Sequence, residues 1–238
     1  MTVEPYTLLL IHIDPACDEL LEFRRAADTM WEEVLSVSTP LTETKGMKKL
    51  VRFLGTGPKY EVLYPVLRII ERKDDRIFKY KYEGEITQKN IKKFFRDFKS
   101  GILRPYFKSE KPIESEGSVK TLVGTNFDDA VFDNLKDVVV FFHSVWCVEC
   151  SDIMPMYSKV AENLASSESE DVLFSKIDTF NNEGMEMPEA MAGEPIIRIY
   201  RADDKEHPIE FEGNFVTNEI ETWIKKNLYR EMLSADDL

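Results

Sequence analysis

The chain has 238 residues, of which 43% are hydrophobic and 32% are charged, and its formal net charge is -13 at pH 7. This length and composition are typical of a soluble globular protein with two domains of ordinary size. The negative charge argues against nucleic acid as a partner, because no basic face offsets it to neutralise phosphates. A membrane partner is not predicted either, since no run reaches the about 20 apolar residues of a membrane-spanning helix.

The first half of the chain alternates between strand and helix periodicities. Strand patterns lie at residues 6–13, 34–38, 63–70 and 77–82, and helical patterns at residues 18–31, 45–54 and 87–99. The first helix is predicted to use as its apolar face Leu21, Phe23, Ala26, Ala27 and Met30. The predicted order is strand, helix, strand, helix, strand, strand, helix, which is an α/β pattern.

The first strand pattern differs from a signal peptide. It is preceded by Glu4 and followed by His12 and Asp14, whereas a signal peptide has a basic start and a longer apolar run. We therefore expect the chain to be a cytosolic protein or a piece of a longer one, and we favour the piece.

Residues 106–118 are predicted to be a linker. They are rich in Lys, Glu, Ser and Pro, a composition that resists packing. We expect domains at residues 1–105 and 119–229 that are able to reorient, followed by an acidic tail at residues 230–238.

The most informative stretch is residues 138–150. An apolar strand pattern leads to Trp146, and Cys147 and Cys150 follow just before a helical pattern that contains Pro155. At such a place, unpaired N–H groups and the helix dipole stabilise the thiolate of the first cysteine. The second thiol lies one helical turn on, where it can attack a mixed disulfide. The pattern predicts thiol–disulfide exchange, with Cys147 as the nucleophile and Cys150 as the resolving thiol.

Two other interpretations of the cysteine pair stay open, namely half of a zinc site and an inert buried pair. A structural zinc site needs four close ligands, and the rest of the sequence offers only Cys17 and three histidines. We therefore predict no metal. Cys17 is interpreted as a small buried residue, and His143 as a strand residue rather than a ligand.

The elements after the cysteines follow a specific order. A strand pattern lies at residues 172–178, a second strand at residues 193–200, a short segment at residues 210–215 and an amphipathic helix at residues 218–228. With the Trp-Cys-x-x-Cys motif and Pro155, this order resembles the thioredoxin fold. The resemblance to the catalytic domain of the protein disulfide isomerases is closer still, and it covers about residues 119–228.

This resemblance implies roles for two further residues. Pro195 would be a cis-proline that faces the dithiol, and the neighbouring backbone would pair with an extended substrate. Trp146 would shield one side of the dithiol and touch the substrate. A trans-proline at a strand start and a core tryptophan are the alternatives that the residues leave open.

The sequence departs from the family at positions that tune the redox pair. Val148 and Glu149 replace the family's Gly-His, and a carboxylate there would raise the pKa of the Cys147 thiol and favour the disulfide. Phe141 replaces a buried acid, and Ala192 replaces an arginine. We expect a weaker oxidant with slower turnover than a standard isomerase.

The first half resembles the substrate-binding domain that precedes the last catalytic domain of these isomerases. The similarity lies in residues 8–11, 23–27 and 94–105, and it implies that Leu10, Phe23 and Val37 line a pocket for unfolded chains. Their apolar spacing equally fits an ordinary core. The family's domain has another strand and helix before Tyr6, so an exposed sheet edge is expected.

We therefore predict two tandem thioredoxin-like domains, the first lacking its initial strand and helix. The predicted activity is thiol–disulfide exchange on unfolded or misfolded proteins, with glutathione or an oxidoreductase as redox partner and without a cofactor. Residues 234–238 loosely resemble a retention signal of the endoplasmic reticulum, which favours its lumen. The alternatives are a redox-impaired module that holds unfolded clients and a cytosolic reductase.

Overall fold

A computed structural model describes residues 6–56, 63–73, 76–115, 117–132, 135–167, 172–185, 187–188 and 193–229. The backbone divides into two compact units, Met1–Lys108 and Ser109–Leu238. We call them unit 1 and unit 2. Each has its own sheet and its own hydrophobic cores.

Unit 1 is built on a four-stranded sheet. Its elements are β1 (Tyr6–His12), α1 (Asp18–Thr29), β2 (Leu35–Pro40), α2 (Lys45–Phe53), β3 (Val66–Lys73), β4 (Arg76–Lys81) and α3 (Gln88–Lys99). The strand order is β2-β1-β3-β4, with β1 parallel to β2 and the other pairs antiparallel.

The central strand β1 is a continuous apolar run because both of its faces are buried. Leu8 and Leu10 point into the core that α1 and α3 cover, whereas Leu9 and Ile11 point into a second core with residues of α2. The apolar face of α1 is formed by Leu20, Phe23 and Ala26 rather than by Leu21, which is 47% exposed. The 3.6-residue period selects Leu20, three residues before Phe23.

Unit 2 has a five-stranded sheet. Its elements are β5 (Val119–Leu122), α4 (Gly124–Val131), β6 (Asp137–His143), α5 (Cys150–Ser167), β7 (Val172–Asp178), β8 (Ile196–Arg201), β9 (Asp204–Glu210) and α6 (Thr217–Asn227). The strand order is β5-β7-β6-β8-β9, in which β5, β7 and β6 are parallel and β8 and β9 are antiparallel additions. Within the described residues, no helix is long and apolar enough to cross a membrane.

The two units share one plan. The sequence β1-α1-β2 then β3-β4-α3 in unit 1 matches β6-α5-β7 then β8-β9-α6 in unit 2. Unit 2 has in addition β5, which pairs with β7, and α4. This confirms the predicted α/β class of two tandem thioredoxin-like domains, and among the described residues unit 1 has no counterpart of β5 and α4. The predicted exposed edge is also present, because β2 lies at the edge of its sheet and Leu35 is 59% exposed.

The segment after residue 105 packs more closely than its composition indicates. The Tyr106 N–H donates to the Lys79 carbonyl at 2.6 Å, within unit 1. The Glu110 N–H donates to Asn182 Oδ1 at 2.9 Å, within unit 2. The backbone groups of these two residues therefore have partners within the unit to which each belongs, which the composition of the stretch does not indicate. The predicted boundaries at residues 105 and 119 stay predictions.

The hydroxyl of Tyr157 ties α5 to the sheet of unit 2. Its side chain is fully buried, and the Oη atom lies 2.9 Å from the Val139 carbonyl and 3.0 Å from the Ser175 carbonyl. Burial raises its pKa well above the ordinary value, so the hydroxyl keeps its proton and donates it to these carbonyls.

We expect a Tyr157→Phe variant to lose about 1–2 kcal/mol of the free energy of unfolding of unit 2, because buried carbonyls lose a donor. Urea unfolding followed by circular dichroism measures this loss. The control is Tyr229→Phe, since Tyr229 is 42% exposed and its substitution should cost less than about 0.5 kcal/mol. Equal stabilities of the two variants would contradict the assigned role of the hydroxyl.

Candidate redox-active site

The cysteine pair lies where β6 ends and α5 begins. The Cys147 N–H donates to the Ser144 carbonyl at 3.1 Å, which closes the turn after β6. The N–H groups of Asp152 and Ile153 both donate to the Glu149 carbonyl at 3.0 Å, which starts the helix. As a result, Cys147 precedes the helix and Cys150 is its first residue.

Cys147 and Cys150 form a disulfide, with their Cα atoms 5.3 Å apart. The Cys150 N–H donates to Cys147 Sγ at 3.1 Å. A backbone donor at a helix N-terminus stabilises negative charge on that sulfur. Both residues are only 6% exposed, because they pack in the core with Phe141 and Ile153.

The disulfide is reached through a groove of about 460 Å³. We call it the dithiol groove, and its lining residues are His143, Ser144, Val145, Cys147, Cys150, Ser151, Met154 and Pro155. The lining is mostly apolar or uncharged. Both sulfur-bearing residues therefore face one concave surface, although little of either is exposed.

Exposed apolar side chains surround the disulfide in the sequence. Val145, Trp146 and Val148 are 66%, 64% and 86% exposed. The Trp146 ring packs edge-on against Phe180, with ring centroids 5.7 Å apart. Trp146 is therefore a surface residue beside the redox pair rather than a core tryptophan, and it is accessible to a protein substrate.

The loop before β8 meets the cysteine turn at Gly193. A Cβ atom on Gly193 would lie 2.5 Å from the Trp146 carbonyl oxygen and 3.3 Å from the Cys147 nitrogen. Gly193 has a φ of +72°, in the left-handed region that favours glycine. The strand pattern at residues 193–200 did not indicate this contact. The signal available was a glycine two residues before Pro195.

Pro195 directly precedes β8, whose first residue Ile196 pairs with Phe142 of β6. It thus lies at the end of the sheet where the cysteine turn begins. The cis prediction is wrong: among the described residues the peptide bond before Pro65 is cis, and the bond before Pro195 is not. Trans is the lower-energy form, and the chain already turns at Gly193.

The structure describes three of the four positions at which the sequence departs from the family near the redox pair. Val148 and Glu149 are exposed beside the disulfide. Phe141, at the position of the family's acid, is fully buried, and its ring centroid lies 5.4 Å from that of Tyr157. Ala192 and residues 230–238 lie outside the described residues. Among the residues that the structure does describe, no group of three or more His, Cys, Asp or Glu side chains is placed to hold a metal.

His143 lines the dithiol groove together with both cysteines. It ends β6 and pairs with Asp178 of β7. Burial lowers its pKa, as does the Lys176 charge, while the Asp178 and Glu110 carboxylates oppose this shift. From the sequence it was interpreted only as a strand residue, four positions before Cys147. The alternation of side chains along β6 was the signal that could have found it.

Two of the three residues that were predicted to line a client pocket in unit 1 are buried. Leu10 is fully buried and Phe23 is 2% exposed, and both belong to the core between the sheet and α1. Their assignment as substrate-binding residues is wrong because their side chains are packed against other core residues. Val37, on the edge strand β2, is 38% exposed. Cys17 is half-buried against the same core and is not in a disulfide.

Comparison with known proteins places this geometry in a family. The thioredoxin family model matches residues 118–226. A putative protein disulfide-isomerase of Schizosaccharomyces pombe is 36% identical over 152 residues, which are 64% of this chain and 30% of the relative. The protein disulfide isomerase-like 1-4 of Arabidopsis thaliana is 32% identical over 208 residues, which are 85% of this chain and 33% of the relative.

A solved structure, the first thioredoxin domain of mouse protein disulfide-isomerase A4, is 25% identical. It covers 48% of this chain and 77% of that domain's chain, with a TM-score of 0.38. The chain spans about a third of the length of the curated relatives that it matches. With the Trp146-Cys147-x-x-Cys150 motif at the start of α5, the sequence matches show that the chain belongs to the protein disulfide isomerase family.

Proposed function

We propose that the chain is a thiol–disulfide oxidoreductase that forms, reduces or rearranges disulfides of unfolded and misfolded proteins. The observation that carries this proposal is the Cys147–Cys150 disulfide at the start of α5, where the Cys150 N–H donates to Cys147 Sγ. A helix N-terminus lowers the energy of a thiolate at that sulfur. The dithiol groove gives a partner thiol a path to the pair.

In the reducing direction, the Cys147 thiolate attacks one sulfur of a substrate disulfide and releases the other as a thiolate. The product is a mixed disulfide between Cys147 and the substrate. Cys150 then attacks Cys147 Sγ, which frees the substrate and restores the Cys147–Cys150 disulfide. The two electrons pass from the dithiol to the substrate, and the reverse sequence oxidises a substrate dithiol.

The exposed Val145, Trp146 and Val148 side chains support a substrate with exposed apolar segments, as unfolded proteins have. Glutathione or another oxidoreductase would return the pair to its working state. These partners agree with a place in the lumen of the endoplasmic reticulum, where disulfides persist.

The first test is the equilibrium of the Cys147–Cys150 pair in glutathione buffers, measured by alkylation and mass. A potential near the about -180 mV of protein disulfide isomerase supports the isomerase assignment, and one near the about -270 mV of thioredoxin supports a reductase. A Cys147→Ser/Cys150→Ser variant controls for Cys17. If no disulfide forms between Cys147 and Cys150 across the whole range of buffers, the proposal is wrong.

The carboxylate of Glu149 is expected to shift the equilibrium of the Cys147–Cys150 pair from the dithiol towards the disulfide. In a Glu149→His variant, the imidazolium would favour the Cys147 thiolate and so shift the pair towards the dithiol. One unit of Cys147 pKa corresponds to about 1.4 kcal/mol, or about 30 mV of potential. The measurement is the same glutathione titration, together with the pH dependence of Cys147 alkylation.

Glu149→Gln is the matched control, because it removes the carboxylate charge without adding a cation. Since Glu149 is exposed, the shifts in potential caused by Glu149→His and by Glu149→Gln should both become smaller as salt is added. If Glu149→His has the parent potential at low salt, the electrostatic role of this position is disproved.

A second candidate function is a module that holds unfolded clients without redox chemistry. The observation in its favour is the exposed apolar set near the edge strand of unit 1, where Trp31 is 74%, Leu35 59% and Val37 38% exposed. Edge strands with apolar side chains bind extended chains. If the double cysteine variant suppresses aggregation of a reduced client as well as the parent does, and the parent shows no exchange, this function replaces the first.

A further inference from the structure

Thiol–disulfide exchange needs a group that takes the proton of the resolving thiol. Cys150 attacks as a thiolate, so its proton must leave before or during the attack. Phe141, which shares the core with the two cysteines, cannot accept a proton. Of the described residues that line the dithiol groove, His143 is the titratable side chain besides the two cysteines.

The alternation of β6 directs His143 towards the redox pair. Phe141 and His143 are two residues apart and therefore point to the same face of the sheet. Their ring centroids are 5.9 Å apart. Phe141 belongs to the core cluster that contains Cys147, Cys150 and Ile153 of α5. His143 lies at the carboxyl end of the same strand, where that core opens into the dithiol groove.

The charges around His143 come from two elements besides its own. Asp178 and Lys176 lie on the neighbouring strand β7, and Glu110 lies on the segment before β5. Burial has the largest effect and favours the neutral imidazole, and the two carboxylates only partly oppose it. A neutral imidazole near pH 7 has a free nitrogen lone pair and can accept a proton.

Unit 1 contains a histidine at the equivalent place, which provides an internal comparison. His12 ends β1 as His143 ends β6, and its carbonyl accepts from the Leu41 N–H as that of His143 accepts from Thr179. His12 is only 4% exposed, and its Nδ1 contacts the Asp14 carbonyl. The strand-end position therefore serves packing in unit 1, whereas in unit 2 it faces a groove with two sulfurs.

We propose that His143 is the proton acceptor for Cys150 in the exchange reaction. The inference rests on the proposed function of the cysteine pair. With a substrate joined to Cys147, the Cys150 thiol gives its proton to the neutral His143 imidazole. The Cys150 thiolate forms a bond to Cys147 Sγ, the bond between Cys147 and the substrate sulfur breaks, and the substrate leaves as a thiolate. The His143 imidazolium returns its proton to that thiolate or to water.

The test follows the mixed disulfide directly, with glutathione disulfide as the probe. The reduced chain is mixed with glutathione disulfide, quenched at intervals by acid, and analysed by mass for the Cys147–glutathione adduct. In a His143→Gln variant the adduct should persist roughly a hundredfold longer than in the parent at pH 7, as expected for loss of a general base. His207→Gln is the matched control, because His207 lies on the same unit with its side chain exposed.

Two readouts separate proton transfer from a structural role. The rate at which iodoacetamide alkylates Cys147 does not need the Cys150 proton and should be unchanged in His143→Gln. In the parent, the adduct should persist longer once the pH falls through the pKa of His143, which burial holds below the ordinary histidine value, because an imidazolium cannot accept a proton. The variant should show only the pH dependence of the Cys150 thiol itself, without this additional break. Imidazole added to a His143→Gly variant should shorten the adduct lifetime again.

The outcomes distinguish this inference from the function on which it rests. If the parent forms the Cys147–Cys150 disulfide but the adduct lifetime is the same in parent and His143→Gln, His143 is not the acceptor and the exchange function stands. If alkylation of Cys147 slows as much as adduct release, His143 is a structural residue and the inference is wrong. If the parent neither forms an adduct nor an internal disulfide, both fail.

Discussion

A Cys147→Ser variant is expected to lose disulfide exchange down to the level of the buffer alone, whereas Cys150→Ser should stop the reaction halfway. The reason lies in the order of the two sulfurs at the start of α5. The Cys150 N–H donates a hydrogen bond to Cys147 Sγ. Cys147 therefore carries the stabilised thiolate and makes the first bond to the substrate. Without the Cys150 thiol, the mixed disulfide has no internal group to resolve it.

The measurement is refolding of a reduced, disulfide-containing protein, with non-reducing electrophoresis to reveal mixed disulfides. Cys150→Ser should accumulate covalent complexes that a reductant releases, and Cys147→Ser should accumulate none. Cys17→Ser is the matched control, since Cys17 is half-buried in unit 1 and is not part of the disulfide. Covalent complexes through Cys17, or full activity of Cys147→Ser, would reverse the assignment.

The sequence was sufficient to predict the fold class because its strongest signals are long. The apolar runs of β1 and β6 have no alternation, as expected for central strands that are buried on both faces. In the structure, Thr44 and Thr87 cap α2 and α3, since their Oγ1 atoms accept from the Met47 and Asn90 N–H groups at 3.3 Å in both cases. The Cys-x-x-Cys motif then fixed the start of α5 to within one residue.

Elements at the periphery were missed. The strand β9 contains Asp204, Glu206 and Pro208 and shows no apolar alternation. It is formed because it lies at the edge of the sheet, where charged side chains reach solvent and a missing N–H is tolerated. The short helix α4 was also missed, since its periodicity spans only about two turns. In both cases tertiary pairing, rather than local propensity, decides the structure.

The candidate site divides in the same way, into features that are local in sequence and features that depend on tertiary contacts. The sulfur pair and the neighbouring Trp146 are local in sequence and were predicted. The contribution of His143 depends on which face of the sheet its side chain lies on. That of Gly193 depends on its contacts with Trp146 and Cys147, which lie 47 and 46 positions earlier in the chain. The predicted pocket roles of Leu10 and Phe23 were wrong for a related reason, since residues of a core and residues of a pocket have the same apolar character. Only their burial in the core of unit 1 distinguishes them.

The contact of Gly193 leads to the second large expected effect. We expect a Gly193→Ala variant to lose roughly 2–5 kcal/mol of the free energy of unfolding of unit 2. One part is the cost of a left-handed alanine at φ +72°. The other part is a clash, because the new Cβ would lie 2.5 Å from the Trp146 carbonyl oxygen and 2.9 Å from its carbon. These are backbone atoms, so relief requires movement of the turn that holds Cys147.

Gly117→Ala is the control that separates the two parts. Gly117 also belongs to unit 2 and has a positive φ, +87°, but a Cβ there would have no neighbour within 4 Å. Its substitution should therefore cost only the about 1–2 kcal/mol of the backbone conformation. Urea unfolding gives both stabilities, and stopped-flow exchange with glutathione disulfide shows whether Cys147 has moved. Because the strain in Gly193→Ala acts on the Cys147 turn itself, its exchange rate should fall further than that of Gly117→Ala even when both are fully folded. Equal stabilities and equal rates would show that the Gly193 contact does not position the redox pair.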